Sequence, residues 1–398
     1  MASTLFSLAI ITAIGFLGPF LTSLLPGKWV QSSAVVLLLG WLCGPHMLGL
    51  IDPSAEGLGL LKQLGLAFLF LMGGYELTPD KVLGPCGRHA MLSWLVSFGL
   101  GLAVVRLLPL GFSWTASVAC AIALTSTSLN KVESLLRSRH ELATPLGSVV
   151  TSYGAAGELL PVAAVALLIG EHSALEEVLV ILAFVAIAVA ASWLVRHEDG
   201  RRTRLSRYVR SGDDPSQLMT QLVVAVLVGF TALGAILGAD MLVAGFAAGW
   251  VLRRLVPEED TRTMGKLRGL AYGFFIPVTF VLSGTRIDIE SAASYLWVVA
   301  AFIGLLLVVR GVPVLLALRA FPETRGLDRL QKWDVCAYSC MAMATVVAMT
   351  NVAVEAGDMT PAIAGALVFA AALTTLIVPA VTYGLERREA RTGARTDR

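Results

Sequence analysis

The chain has 398 residues, of which 56% are hydrophobic and 15% charged, against about 25% charged in average soluble domains. So little charge cannot cover so much apolar surface in water, which excludes a soluble globular protein, a disordered chain and a nucleic-acid binder. The net charge is only +2, so the placement of the charges carries the information. Five cysteines without a CxxC spacing argue against a disulfide framework. Cys336 and Cys340 share a helix face but have no histidine near them in sequence to complete a metal site.

A spanning helix needs about 20 mostly apolar residues. In chain order, thirteen stretches qualify: 4–25, 31–50, 58–74, 89–108, 114–136, 143–169, 175–195, 217–238, 241–255, 266–284, 292–318, 333–355 and 361–385. The longest connection, 196–216, is polar and Arg-rich and divides the chain near its middle. With the N-terminus outside, the inside loops hold 26 of the 30 basic residues, as the positive-inside rule requires. The outside loops carry acids, among them Asp52, Glu56, Glu176, Asp240 and Asp358. One span more or fewer would reverse every later loop, so the reading is an all-α polytopic membrane protein of thirteen spans with a cytoplasmic C-terminus. Lys62, Arg106 and Arg286 fall near outer span ends, where a long side chain can reach water. Arg310 does not; it lies deep in span 11.

The order of small residues suggests two units of six spans around a linker span. Leu39-Gly40-Trp41 in span 2 matches Ala248-Gly249-Trp250 in span 9. Gly73-Gly74 at the end of span 3 matches Ser283-Gly284 at the end of span 10. The glycines are 34 apart in the first half and 35 in the second. Cys120 and Thr125 in span 5 match Cys340 and Thr345 in span 12. Matched spans run in opposite directions, the pattern of inverted-topology repeats in transporters.

Charged groups at a helix centre cost roughly 2.5–3.5 kcal/mol on insertion scales. Glu158 in span 6 and Arg310 in span 11 are the two deep ones, and the economical reading is that they face each other. Gly154, Ala155, Ala156 and Gly157 before Glu158 allow close backbone approach. Pro161 removes the N–H that would bond the Gly157 carbonyl. A carboxylate beside free backbone oxygen suits a proton or a dehydrated hard cation. Span 5 holds Thr125-Ser126-Thr127-Ser128 and then Asn130, hydroxyls and an amide that compete with helix bonding. A broken helix is expected there and in span 12, with termini and carbonyls turned to an ion site. Glu76, at the inner edge of span 3, reads as a solvated helix-end residue.

Several stretches resemble the second family of the monovalent cation/proton antiporter superfamily, the bacterial sodium/proton and potassium/proton exchangers. They are Leu66–Leu77, ending Gly73-Gly74-Tyr75-Glu76-Leu77; Ala123–Ser128; Ala244-Gly245-Phe246-Ala247-Ala248-Gly249; and Phe274-Phe275-Ile276-Pro277-Val278. The resemblance covers nearly the whole chain. It implies scaffold and dimer spans in 1–85 and 217–290, core transport spans in 86–170 and 291–386, a linker with span 7 in 171–216 and a cytoplasmic tail in 387–398. The core would move against the scaffold of a homodimer in a bacterial inner membrane. The family's span-6 Asp aligns with Glu158, and its span-11 Lys or Arg with Arg310.

The expected function is exchange of Na+ or K+ for protons, with no cofactor and no enzyme activity. Glu158 would bind the monovalent cation with Thr125, Ser126 and Thr127. Gly157, Ser128, Asn130 and Thr345 would support it, and Arg310 would be its charge partner. A guanidinium does not deprotonate in a protein, and position 157 offers no second acid, so electroneutral one-for-one exchange is expected. A sodium-coupled organic-anion symporter of related fold and a non-transporting channel or sensor are the alternatives.

Overall fold

The computed structural model describes residues 2–24, 30–77, 79–108, 112–168, 186, 215–237, 241–255, 261–287, 296–321 and 324–396. They form helices, turns and short connections, with no strand among them. Eight of the described helices are long and apolar enough to cross a membrane, and three shorter apolar ones accompany them. The protein is an all-α polytopic membrane protein. Span 7 and the linker predicted at 171–216 lie outside the described residues, apart from 186 and 215–216.

Spans 1 to 4 are the helices Ala2–Leu24, Ser32–Cys43, Leu58–Glu76 and Pro85–Leu107. The second is shorter than its apolar run because Gly44-Pro45 cannot continue a helix. The chain instead turns, with the Leu50 and Ile51 amides bonding the Cys43 carbonyl at 3.1 and 3.0 Å. Span 6 is Pro145–Leu168, span 8 Pro215–Leu237, span 9 Met241–Leu255 and span 13 the start of Pro361–Thr396.

Spans 10 and 11 each contain a π-turn, at Ala271–Phe275 and Leu307–Gly311. Both have the same cause. Pro277 and Pro313 lack the N–H that would bond residues 273 and 309, and each ring crowds that carbonyl. The helix widens there. Arg310 stands within the second π-turn.

Contacts divide the chain into two units. One comprises Met1–Ala55, Thr78–Pro161 and Phe280–Arg398; the other comprises Glu56–Leu77 and Val162–Thr279. In the first unit, Gly40 of span 2 lies against the backbone of Val281 in span 10, and Gly284 lies against Leu37 and Trp41. In the second unit, Gly249 of span 9 lies against Leu71 and Tyr75 in span 3, and Gly74 lies against Phe246. A methyl group on any of the four would strike backbone. Each glycine meets the residue three before the other glycine of its own seam, so the two seams share one register. Close backbone approach through small residues is how membrane helices pack without a hydrophobic drive between them.

The core of the first unit includes Val132, Leu136, Tyr153, Val314, Val335 and Tyr338. At its edge Arg139 donates to the Tyr338 hydroxyl at 2.7 Å and to the Pro379 carbonyl and Thr382 hydroxyl at 3.4 Å. That side chain ties the end of span 5 to spans 12 and 13. Lys81 and Glu133 pair at 2.9 Å. One residue expected to reach water differs from expectation: Lys62 is 6% exposed. Arg286 is partly exposed and donates to Asn351 Oδ1 at 3.3 Å. Glu76 pairs with Arg268 at 3.3 Å.

Candidate functional site

Span 5 is two helices, Trp114–Thr125 and Leu129–Ser138. Span 12 is likewise two, Arg329–Ser339 and Met343–Glu355. Both breaks fall where the discontinuous helices were expected. In span 5 the hydroxyl run supplies the alternative bonding. Thr125 Oγ1 donates back to the Ala121 carbonyl at 2.8 Å, and Ser126 Oγ donates to the Ala123 carbonyl at 3.1 Å, a carbonyl that the ended helix leaves open.

The two breaks meet. The Ser128 amide donates to the Met341 carbonyl at 2.6 Å. Thr127 Oγ1 donates to the Ser339 carbonyl at 2.7 Å, and the Ala344 amide donates to Ser128 Oγ at 3.4 Å. Span 6 joins them through the Thr127 amide, which donates to the Gly157 carbonyl at 2.8 Å. This is the carbonyl that Pro161 leaves without a helical donor. It is therefore bonded within the crossing, not open to a ligand on that side.

Glu158 accepts from the Leu129 amide at 3.1 Å. Leu129 is the first residue of the second half of span 5, so the carboxylate sits at a positive helix end. Arg310 is fully buried. Its Nη2 donates to Thr127 Oγ1 and to the Tyr153 carbonyl, both at 3.4 Å. Among the described residues, its Nε and Nη1 have no hydrogen-bond partner. Thr127 thus touches both sides of the site: its amide holds span 6 next to Glu158, and its hydroxyl meets Arg310. The Ser339 carbonyl, at the end of a half-helix, draws on the same hydroxyl, and a cation nearby opposes the negative end of that half-helix.

Gly157 explains the close fit. A Cβ there would stand 2.5 Å from Thr127 Oγ1 and 2.8 Å from Arg310 Nη2. Asn130, next to Leu129, has a buried Oδ1 that accepts no hydrogen bond among the described residues. Thr345 is buried in the first turn of the second half of span 12, and its side chain takes no part in the bonds above. Glu158, Thr127, Ser128, Gly157 and Arg310 are brought together around the crossing. Thr125 and Ser126 cap their own half-helix.

Sequence reasoning missed the backbone of Tyr153, Ser339 and Met341, since carbonyls leave no letter. It also missed the thiols. Cys336 Sγ donates to the Gly311 carbonyl at 3.1 Å, and Cys340 Sγ to the Leu306 carbonyl at 3.7 Å. These acceptors bracket the π-turn that carries Arg310. Pro313 was the visible signal that carbonyls would be displaced there.

Comparison with known proteins agrees with this architecture. The family described as "Sodium/hydrogen exchanger, transmembrane" matches residues 3–385. The putative Na(+)/H(+) antiporter YjbQ of Bacillus subtilis (strain 168) is 24% identical over an alignment covering 96% of this chain and 63% of that protein. The chain thus spans less than two thirds of that relative's length. The probable Na(+)/H(+) antiporter GerT of Bacillus cereus is 23% identical over 66% of this chain and 68% of its own length. In fold, the chain resembles the sodium proton antiporter MjNhaP1 of Methanocaldococcus jannaschii, with a TM-score of 0.61, 15% identity and 96% of each chain covered. A match over nearly the whole length, on a helical membrane fold with crossed broken spans, places the chain in the sodium/hydrogen exchanger family.

Proposed function

We propose that this protein exchanges a monovalent cation, Na+ or K+, for a proton across the membrane, and that Glu158 carries each in turn. The observation that supports this most is the placement of one carboxylate at the start of a half-helix, 3.1 Å from the Leu129 amide. A half-helix end stabilises the ionised form, and that form binds a cation or a proton but not both. Thr127 and Ser128 offer oxygen ligands of the type that hard cations prefer. Arg310 remains charged through the cycle and balances the carboxylate when no ion is bound. One titrating acid gives one proton per cation, an electroneutral cycle. Spans 4–6 and 11–13 form the moving core, and spans 1–3 and 8–10 the scaffold of a homodimer. The membrane is the bacterial inner membrane, with the N-terminus outside. The names of the relatives YjbQ and GerT support cation/proton antiport.

The test is proton movement in proteoliposomes containing the full chain, with Na+, K+ and Li+ added in turn. At least one ion should release protons, and apparent affinity should fall as pH falls, because protons compete for Glu158. Glu158→Gln should abolish the signal. Retained exchange in that variant would refute the assignment, and a rate that follows an imposed membrane potential would refute electroneutrality.

A further inference from the structure

Away from the crossing, the first unit contains an apolar crevice of about 70 Å³. It lies among spans 4, 5, 11 and 13 and reaches Cys120 and Leu124, which are 5% and 1% exposed. It is thus a notch into the bundle, deeper than the outer faces of the helices. Its lining offers almost no polar atom, so neither water nor an ion would find partners inside. Left empty, its walls would lack dispersion contacts on one side. The volume is below the ~150 Å³ of an apolar cavity that admits benzene, which matches the width of a single hydrocarbon chain better than a ring-bearing solute.

The rim has a different character. Arg106, exposed in the last turn of span 4, lies in sequence between the lining residues Val105 and Leu108. Its Nη1 donates to the carbonyl of a third lining residue, Phe112, at 3.3 Å, the one hydrogen bond of its guanidinium among the described residues. Trp297, also on the lining, is 56% exposed. Tryptophan favours the depth at which headgroups give way to chains.

We infer that this crevice is a phospholipid site. An acyl chain enters at Trp297 and ends against Cys120 and Leu124, and Arg106 holds the phosphodiester. Guanidinium pairs with phosphate oxygens in a planar, two-bond geometry. The charge at the mouth and the absence of polar atoms within match the two ends of one such molecule. Bound lipid braces the first half of span 5, whose last residue, Thr125, follows Leu124. The proposal stands apart from the transport reading.

The experiment places the full chain in vesicles of phosphatidylethanolamine and phosphatidylglycerol. A trace of phospholipid carries a diazirine at the end of one acyl chain. After illumination, adducts are mapped by mass spectrometry. The expected result is labelling concentrated on the segment with Cys120 and Leu124. Arg106→Gln, an exposed change that leaves the fold intact, should lower it several-fold, and Arg106→Lys should restore part of it. Cys120→Phe, which fills the notch, should remove it with Arg106 in place. Labelling spread evenly over outward residues such as Leu92 and Leu95 would overturn the proposal in favour of bulk lipid. Labelling indifferent to Arg106→Gln would overturn the headgroup assignment. Loss of labelling on adding inorganic phosphate would assign Arg106 to the free ion instead.

Discussion

Spans 5 and 12 both stop and restart within a few residues, and they do so with different chemistry. Span 5 breaks at Ser126-Thr127-Ser128, where side chains bond outward to Ser339 and Ala344 and inward to their own helix. Span 12 breaks at Cys340-Met341-Ala342, all fully buried. Its turn closes on itself, with the Cys340 amide on Ala337 and the Met341 amide on Tyr338. It gives span 5 mainly backbone: the carbonyls of Ser339 and Met341 and the Ala344 amide. One break contributes functional groups and the other a frame that receives them. Substitutions on the two sides should therefore have unequal effects.

The largest expected effect is that of Arg310→Ala. It removes a fully buried cation and leaves Thr127 and the Tyr153 carbonyl without that donor, so exchange in proteoliposomes should fall below detection. Arg310→Lys keeps the charge but loses the fork and should retain part of the activity. Next is Thr127→Val, which leaves the Ser339 carbonyl without its donor. That should cost about 2 kcal/mol, the penalty for one unsatisfied buried group, and weaken apparent cation affinity, read from thermal unfolding and from transport. The glycine seams come third. Gly284→Ala and Gly74→Ala should each cost about 1–3 kcal/mol through overpacking, by similar amounts, because the two seams share a register. A large inequality in unfolding temperature would break that equivalence. The smallest effect belongs to span 12. Met341→Leu conserves volume and should cost below about 1.5 kcal/mol with transport near normal. If it matched Thr127→Val, the contrast between the two breaks would fail.

The same contrast explains what could be read from the sequence. Thr125 to Ser128 announces its break, because four consecutive hydroxyls compete with helix bonding. Cys340-Met341-Ala342 announces nothing locally, and its break was reached only through the match with span 5. The spans that fall within the described residues were legible because length and loop charge are each strong, additive signals. The π-turns were not, although Pro277 and Pro313 mark them, since a proline alone does not say whether a helix kinks, ends or widens. Arg139 was legible as an inside charge but not as a clamp on Tyr338 and Thr382. Such a contact depends on spans distant in sequence. Glu158 and Arg310 stood out because burying charge is costly. Their shared neighbour Thr127 became specific only when its amide and hydroxyl were seen to point at different spans.

The Thr127 amide on the Gly157 carbonyl and the Ser128 amide on the Met341 carbonyl are indifferent to which side chains those residues carry. An alanine scan would leave both bonds in place and report only the side chains. Chemistry on the main chain would find them. An ester in place of the amide at 127 or 128 deletes the donor and leaves every side chain untouched. Pro161→Ala offers a genetic route to the same bond, because it restores a helical N–H that competes for the Gly157 oxygen. The position to watch in such a variant is not 161 but the half-helix that begins at Leu129.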